Sequence, residues 1–224
     1  MKIFPAHCLI APLPHCFIAR MSDHPKVART DHDILDLIRR RWSPRSFDSS
    51  RDVSRRDLLR LFEAARWAPS SFNEQPWRFL VAERQRTPEA FNAMLASLTE
   101  RNQTWARAAP LLVLVALRVT LERNEAPNPS AWYDAGQSVA LLTLQATELG
   151  LSVRQMEGFN RDIAQTGCGI PKPFEPVVIM AIGYAGDPDA LAQDRHRELE
   201  RQPRTRKPLS EFVFEGRWGV KLVS

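Results

Sequence analysis

Cysteine is scarce in this chain. Cys8, Cys16 and Cys168 are the only three in 224 residues, and no C-x-x-C occurs. Neither a disulfide framework nor a zinc site is expected from such spacing, and a reducing, cytoplasmic setting is. Long apolar runs are missing too. The longest, residues 108–117, has the length of a strand or core helix, so no membrane span is expected. There is no internal repeat, no G-x-x-x-x-G-K-[ST] and no G-x-S-x-G. Gly167-Cys-Gly169 lacks the third glycine of a dinucleotide turn and runs into Pro171 and Pro173. Asp31-His-Asp33 lies at an expected helix start, where carboxylates are favoured without any metal, so no metal site is assigned.

What is present is the composition of an ordinary globular protein, with 44% hydrophobic and 25% charged residues. The length implies one domain. A net charge of +5 suits an anionic small ligand or weak attraction to nucleic acid. The first twenty residues start like a signal peptide, with Lys2 followed by apolar residues. Pro5, Pro12 and Pro14 interrupt the apolar segment, and no small-x-small cleavage site follows. Residues 1–30 are therefore expected to be a poorly ordered extension, with Met21 as an alternative start, and residues 31–224 the domain.

Residues 31–41 carry acidic groups first and arginines last, the order a helix dipole favours. Ser54 caps a second helix over 55–67. A strand is expected at 77–83, a helix from Pro88 to about Arg107, and a buried strand at 111–117. Residues 122–130 form a polar loop. A helix over 132–149, apolar on several sides, ends at Gly150. Residues 151–160 read as a connector and 160–166 as a short helix. The run after Pro176, to Tyr184, is the clearest strand, and the segment from Asp187 is a polar, basic tail. Helices first, then strands between helices of unequal length, predict an α+β fold.

The richest stretch is residues 65–79. A helix stops at Pro69, Ser70, Ser71 and Asn73, and Pro76 forbids its continuation before a strand begins. Small hydroxyl and amide side chains thus sit on an irregular loop between buried elements, bracketed by Trp67 and Trp77. Such a loop can aim donors at a flat ligand with a polar edge. In the tail, residues 195–207 hold six Lys/Arg against two Glu. No aromatic or groove-fitting neighbours accompany them, so cations neutralising an anionic ligand fit better than nucleic-acid binding.

Four separated segments, in order, resemble the flavin-dependent nitroreductase family. They are Arg41-Trp-Ser-Pro-Arg-Ser-Phe47, Ala68-Pro-Ser-Ser-Phe-Asn-Glu-Gln-Pro-Trp-Arg-Phe79, the helix from Asp134 leading into Met156-Glu-Gly-Phe159, and Arg204-Thr-Arg-Lys-Pro-Leu209. Together they span roughly residues 33–219. The resemblance implies a central, mostly antiparallel sheet flanked by helices, in an intertwined homodimer with FMN at the subunit interface. It implies NADH or NADPH as hydride donor, a small-molecule acceptor such as a nitroaromatic or quinone, a ping-pong cycle, and neither nucleic acid nor membrane as partner. A dehalogenase, an enal or aldehyde reductase and a flavin-cleaving enzyme share the fold and stay open. So does, outside it, a non-enzymatic basic binding protein.

By the same resemblance, the cofactor-binding positions are Arg41, Trp42, Ser43 and Arg45 at the phosphate and flavin edge. Pro69, Ser70, Ser71 and Asn73 would serve the opposite subunit's flavin, with Gln75 and Trp77 holding their loop. Met156, Glu157 and Gly158 would lie near flavin N5, Arg204 and Arg206 would bind phosphate from a C-terminal arm, and Asn102 would be a minor contact. No side chain is assigned a catalytic role, because the flavin carries the chemistry. Trp42 and Arg45 depart from members with His or Ser and with Lys at these positions. The polar loop 118–130 is the expected substrate lid.

Overall fold

The computed structural model describes residues 24–222. Four strands form one antiparallel sheet in the order β1-β2-β4-β3: β1 (Trp77–Glu83), β2 (Leu111–Arg118), β3 (Ser152–Met156) and β4 (Phe174–Gly183). The helices are α1 (Asp36–Arg40), α2 (Arg55–Arg66), α3 (Pro88–Ser97), α4 (Glu100–Ala106), α5 (Ala131–Glu148), α6 (Arg161–Gly167) and α7 (Asp194–Arg201). The α+β expectation and its antiparallel sheet hold.

β2 explains the layering. It is apolar from Leu111 to Leu117, and successive side chains leave opposite faces of a strand. Val113, Val115 and Leu117 enter one core with Leu58, Leu61 and Ala65 of α2 and Val139, Leu142 and Ala146 of α5. Leu112, Leu114 and Ala116 enter a second core with Phe91 and Met94 of α3, Trp105 of α4 and Ala164 of α6. The sheet is thus covered on both faces, and α5 has apolar residues on more than one side.

Local chemistry sets several boundaries. Ser54 Oγ accepts from Asp57 N and starts α2. Asn160 Oδ1 accepts from Ile163 N and starts α6. Gly150, with φ of 72°, takes the left-handed turn after α5.

Four expectations change. The helix expected over 31–41 begins only at Asp36, because Leu35 is extended, with ψ of 133°. The helix expected from Pro88 to Arg107 is two, broken at Leu98 with ψ of 154°, where a bridge to Phe159 forms. Residues 152–156, read as connector, are the edge strand β3. The basic tail contains α7, which buries His196 and Glu200, one turn apart on a single face.

Of the expected N-terminal extension, residues 1–23 lie outside the described residues. The remainder packs on the domain. Ala28 N donates to Arg39 O, and the buried Lys26 lies across the end of α7.

Candidate functional site

The segment after α1 is clamped at the end of the sheet. Asp48 N donates to Tyr184 O, Gly186 N to Ser46 O, and Ser46 Oγ to Asp187 O at 2.5 Å. Gly186 is required here, since an added Cβ would stand 2.6 Å from the Phe47 carbonyl carbon. From β3, Arg154 Nη1 donates to Ser43 O at 2.6 Å. From α7, Glu200 accepts from Arg45 N at 3.0 Å and pairs with the Arg45 guanidinium at 3.6 Å. Arg41 Nη1 donates to Ser43 Oγ, and Arg204 ties the C-terminal arm down through Arg39 O and Arg41 O, both at 2.5 Å.

These residues border an open cavity of about 210 Å³ lined by Lys26, Arg41, Trp42, Ser43, Arg45, Arg154, Glu200, Arg204 and Arg206. Six cations face one carboxylate. Arg41, Arg204 and Arg206 also line an adjoining open groove of about 800 Å³, with Ile34, Ile38, Leu209 and Phe212 on its apolar side.

The electrostatics show crowding. Burial lowers the pKa of Lys26, Arg41, Arg45 and Arg204, and for Arg41 and Arg204 neighbouring arginines lower it further. Arg154 is pushed down to about 10 by burial and then by Arg45. A bound anion relieves this, since it favours the charged forms. Arg204 Nε and His196 Nε2 are buried and have no hydrogen-bond partner among the described residues. Guanidinium and ammonium groups converging on one pocket can together accept an oxyanion.

His196 also sets a pH dependence. Burial, then Arg45, Arg101 and Arg154, hold it below the usual imidazole range, and burial and then Lys26 do the same to His24. The unfolded chain takes up these protons near pH 6.5, and the folded chain resists them, so folding stability is retained above that pH and falls as the pH drops below it. Thermal melts of the purified protein should show a fall in Tm between pH 7 and pH 5 that His196→Phe flattens. A flat acid limb in the unsubstituted protein would contradict this.

Of the positions assigned from sequence, Arg41, Trp42, Ser43, Arg45, Arg204 and Arg206 meet at this cavity. The others do not line it. Ser70 Oγ accepts from Gln75 N, Ser71 N donates to the buried Asp134 of α5 at 3.0 Å, and Gln75 Nε2 donates to Asn73 O and Oδ1. Phe72, Asn73 and Gln75 all have positive φ, which concentrates backbone strain in this loop. Pro69 and Asn73 are exposed, and so is Phe72 at 79%. Trp77 is buried, whereas Trp67 is exposed, so only one of the bracketing tryptophans serves the core.

Met156 is buried in the core, leaving only its backbone to face a ligand, and Glu157 is exposed with Arg161 at 3.8 Å. Gly158 has a reason beyond room for a ring. Its missing Cβ would lie 2.9 Å from Asn102 Nδ2, and that amide donates to Gly158 O. Trp42 packs against the N-terminal segment, 5.4 Å from the His24 ring. On the expected lid, Arg123 stands 4.8 Å from the Phe72 ring and Glu122 N donates to Glu74, so loop 118–130 touches loop 69–75.

Sequence reasoning passed over Lys26, Arg154, His196 and Glu200. Lys26 lay in the assumed extension and Arg154 in the assumed connector. The i, i+4 spacing of His196 and Glu200 was the one available sign that the tail is amphipathic. Among the described residues there is no group of three or more His, Cys, Asp or Glu able to hold a metal, and no helix long and apolar enough to cross a membrane.

The architecture is that of an α+β protein with a cation-lined pocket at one end of its sheet. The chain belongs to the nitroreductase family, whose model matches residues 38–184. An uncharacterized 15.4 kDa protein of Mycolicibacterium smegmatis is 33% identical over 151 residues, which cover 65% of this chain and 99% of that protein. A putative NAD(P)H nitroreductase of Bacillus subtilis, YdgI, is 34% identical over 192 residues, covering 70% of this chain and 90% of its own. A crystal structure of an oxidoreductase containing FMN superposes with a TM-score of 0.80 at 34% identity, over 86% of this chain and 96% of that one.

Proposed function

We propose that this chain binds FMN and acts as an NAD(P)H-dependent oxidoreductase that reduces nitroaromatic, quinone or similar acceptors by a ping-pong cycle. The observation that carries the reading is the cation cavity. Arg41, Ser43, Arg45, Arg204 and Arg206 come from two distant segments and line one pocket. That donor set fits a phosphate monoester. Bound flavin supplies hydride acceptance and donation.

The protein's part is to bind and orient. Arg41, Arg204 and Arg206 hold the phosphate end. Arg45, kept in place by Glu200, provides positive potential toward the flavin edge that becomes negative on reduction. Loop 69–75, pinned by Asp134, presents donors on a strained but fixed backbone. Because that loop does not line the cavity of its own chain, the reading includes a homodimer in which it serves the flavin of the other copy. The exposed Trp132 and Tyr133 on α5 support such an interface.

The test is a visible spectrum of the purified protein, with FMN added if it is colourless, followed by anaerobic NADH and NADPH separately. The expected result is a yellow protein that bleaches with a reduced nicotinamide and recovers colour with a quinone. A protein that stays colourless with added FMN would sink the proposal.

A further inference from the structure

Two cations at the cavity belong to none of the motif segments. Lys26 precedes the first of them, and it is 7% exposed. Its Nζ donates to Leu199 O and Gln202 O, both at 2.5 Å, at the C-terminal end of α7, and lies 5.5 Å from the Trp42 ring centroid. An ammonium has three N–H donors, so one remains. Arg154 comes from the edge strand β3. It uses one N–H on Ser43 O and lies 5.3 Å from the Trp105 ring centroid.

Both side chains are anchored by backbone carbonyls of the two segments that form the cavity, the turn at Ser43 and the end of α7. Among the described residues neither makes an ion pair within 4 Å, and Glu200, the one carboxylate whose charge acts on both, is engaged by Arg45 through two contacts. Three cations thus share one carboxylate, and their charge at the cavity is only partly compensated. A buried cation without a counter-charge is costly, and an anion entering the cavity removes that cost.

We infer that Lys26 and Arg154 form a second layer of cations behind the motif arginines, giving this chain a stronger discrimination of FMN from unphosphorylated riboflavin than the motif arginines supply. The inference rests on the FMN reading above. It assigns the N-terminal segment a part in cofactor recognition, and it places the discrimination in the phosphate, which carries about −1.5 to −2 charges at neutral pH.

The experiment titrates the full-length, flavin-free protein with FMN and, separately, with riboflavin, reading flavin fluorescence. Lys26→Gln and Arg154→Gln keep an N–H donor while removing the charge. Each is expected to raise the Kd for FMN on the order of tenfold, the scale of one charge-assisted hydrogen bond, and to leave the Kd for riboflavin unchanged. Lys26→Arg and Arg154→Lys, which keep the charge, should retain most of the FMN-to-riboflavin ratio. If either Gln variant does not fold, its charge-keeping partner and the salt dependence of the unsubstituted protein carry the test. The FMN Kd should weaken with salt more steeply than the riboflavin Kd, and equal slopes would overturn the inference. Equal weakening toward both flavins in the Gln variants would reduce Lys26 and Arg154 to structural supports. If the unsubstituted protein binds neither flavin, the cofactor reading itself falls, and the inference with it.

Discussion

Arg204→Ala is expected to weaken FMN binding by about a hundredfold, the scale of removing a charged donor with more than one bond to the ligand site. Arg204 does two things at once. It fastens the C-terminal arm to Arg39 O and Arg41 O, and its side chain lines the cavity. Alanine removes the donor and frees the arm that also carries Arg206. Arg204→Lys should recover only part of the loss, because one ammonium cannot reproduce a planar fork reaching two carbonyls and an oxyanion. Equilibrium titration of the flavin-free protein measures both variants. An unchanged Kd in Arg204→Ala would remove the arm from the phosphate site.

Asp134→Ala is expected to cost about 2–3 kcal/mol of folding stability, because it strips the partner from a loop amide and leaves it without a substitute. Asp134 is 2% exposed, lies in the first turn of α5, where the helix dipole favours its charge, and accepts from Ser71 N. The loop it holds contains three left-handed non-glycine residues, a strained backbone that depends on such anchors. For a chain of this size the loss corresponds to a fall in Tm of roughly 4–12 °C. Asp134→Asn keeps an oxygen acceptor and should fall less. Thermal unfolding followed by circular dichroism decides, and an unchanged Tm for the alanine variant would mean that the loop is held elsewhere.

Much of the fold was legible because its signals are local. Ser54 marks the start of α2, Pro110 precedes β2, and the runs in β1, β2 and β4 are rich in apolar residues. β3 escaped because Ser152, Arg154 and Gln155 break the apolar pattern, and its identity comes from pairing with β4. α7 escaped because its sequence is strongly polar and its one buried face is a histidine and a glutamate. The site divided along the same line. Arg41, Ser43, Arg45, Arg204 and Arg206 could be read from spacing and resemblance, and they converge. Lys26, Arg154 and Glu200 could not, since each gains its place only from a tertiary contact with a segment far along the chain.

Those contacts span nearly the whole polypeptide: 173 residues from Lys26 to Leu199, 155 from Arg45 to Glu200 and 163 from Arg204 to Arg41. Closing loops of such length carries a large chain-entropy cost. The cavity is therefore the place where the two ends of the chain are held against each other. A ligand seated there would clasp the two ends together, and it is expected to slow unfolding more than it changes the folding rate.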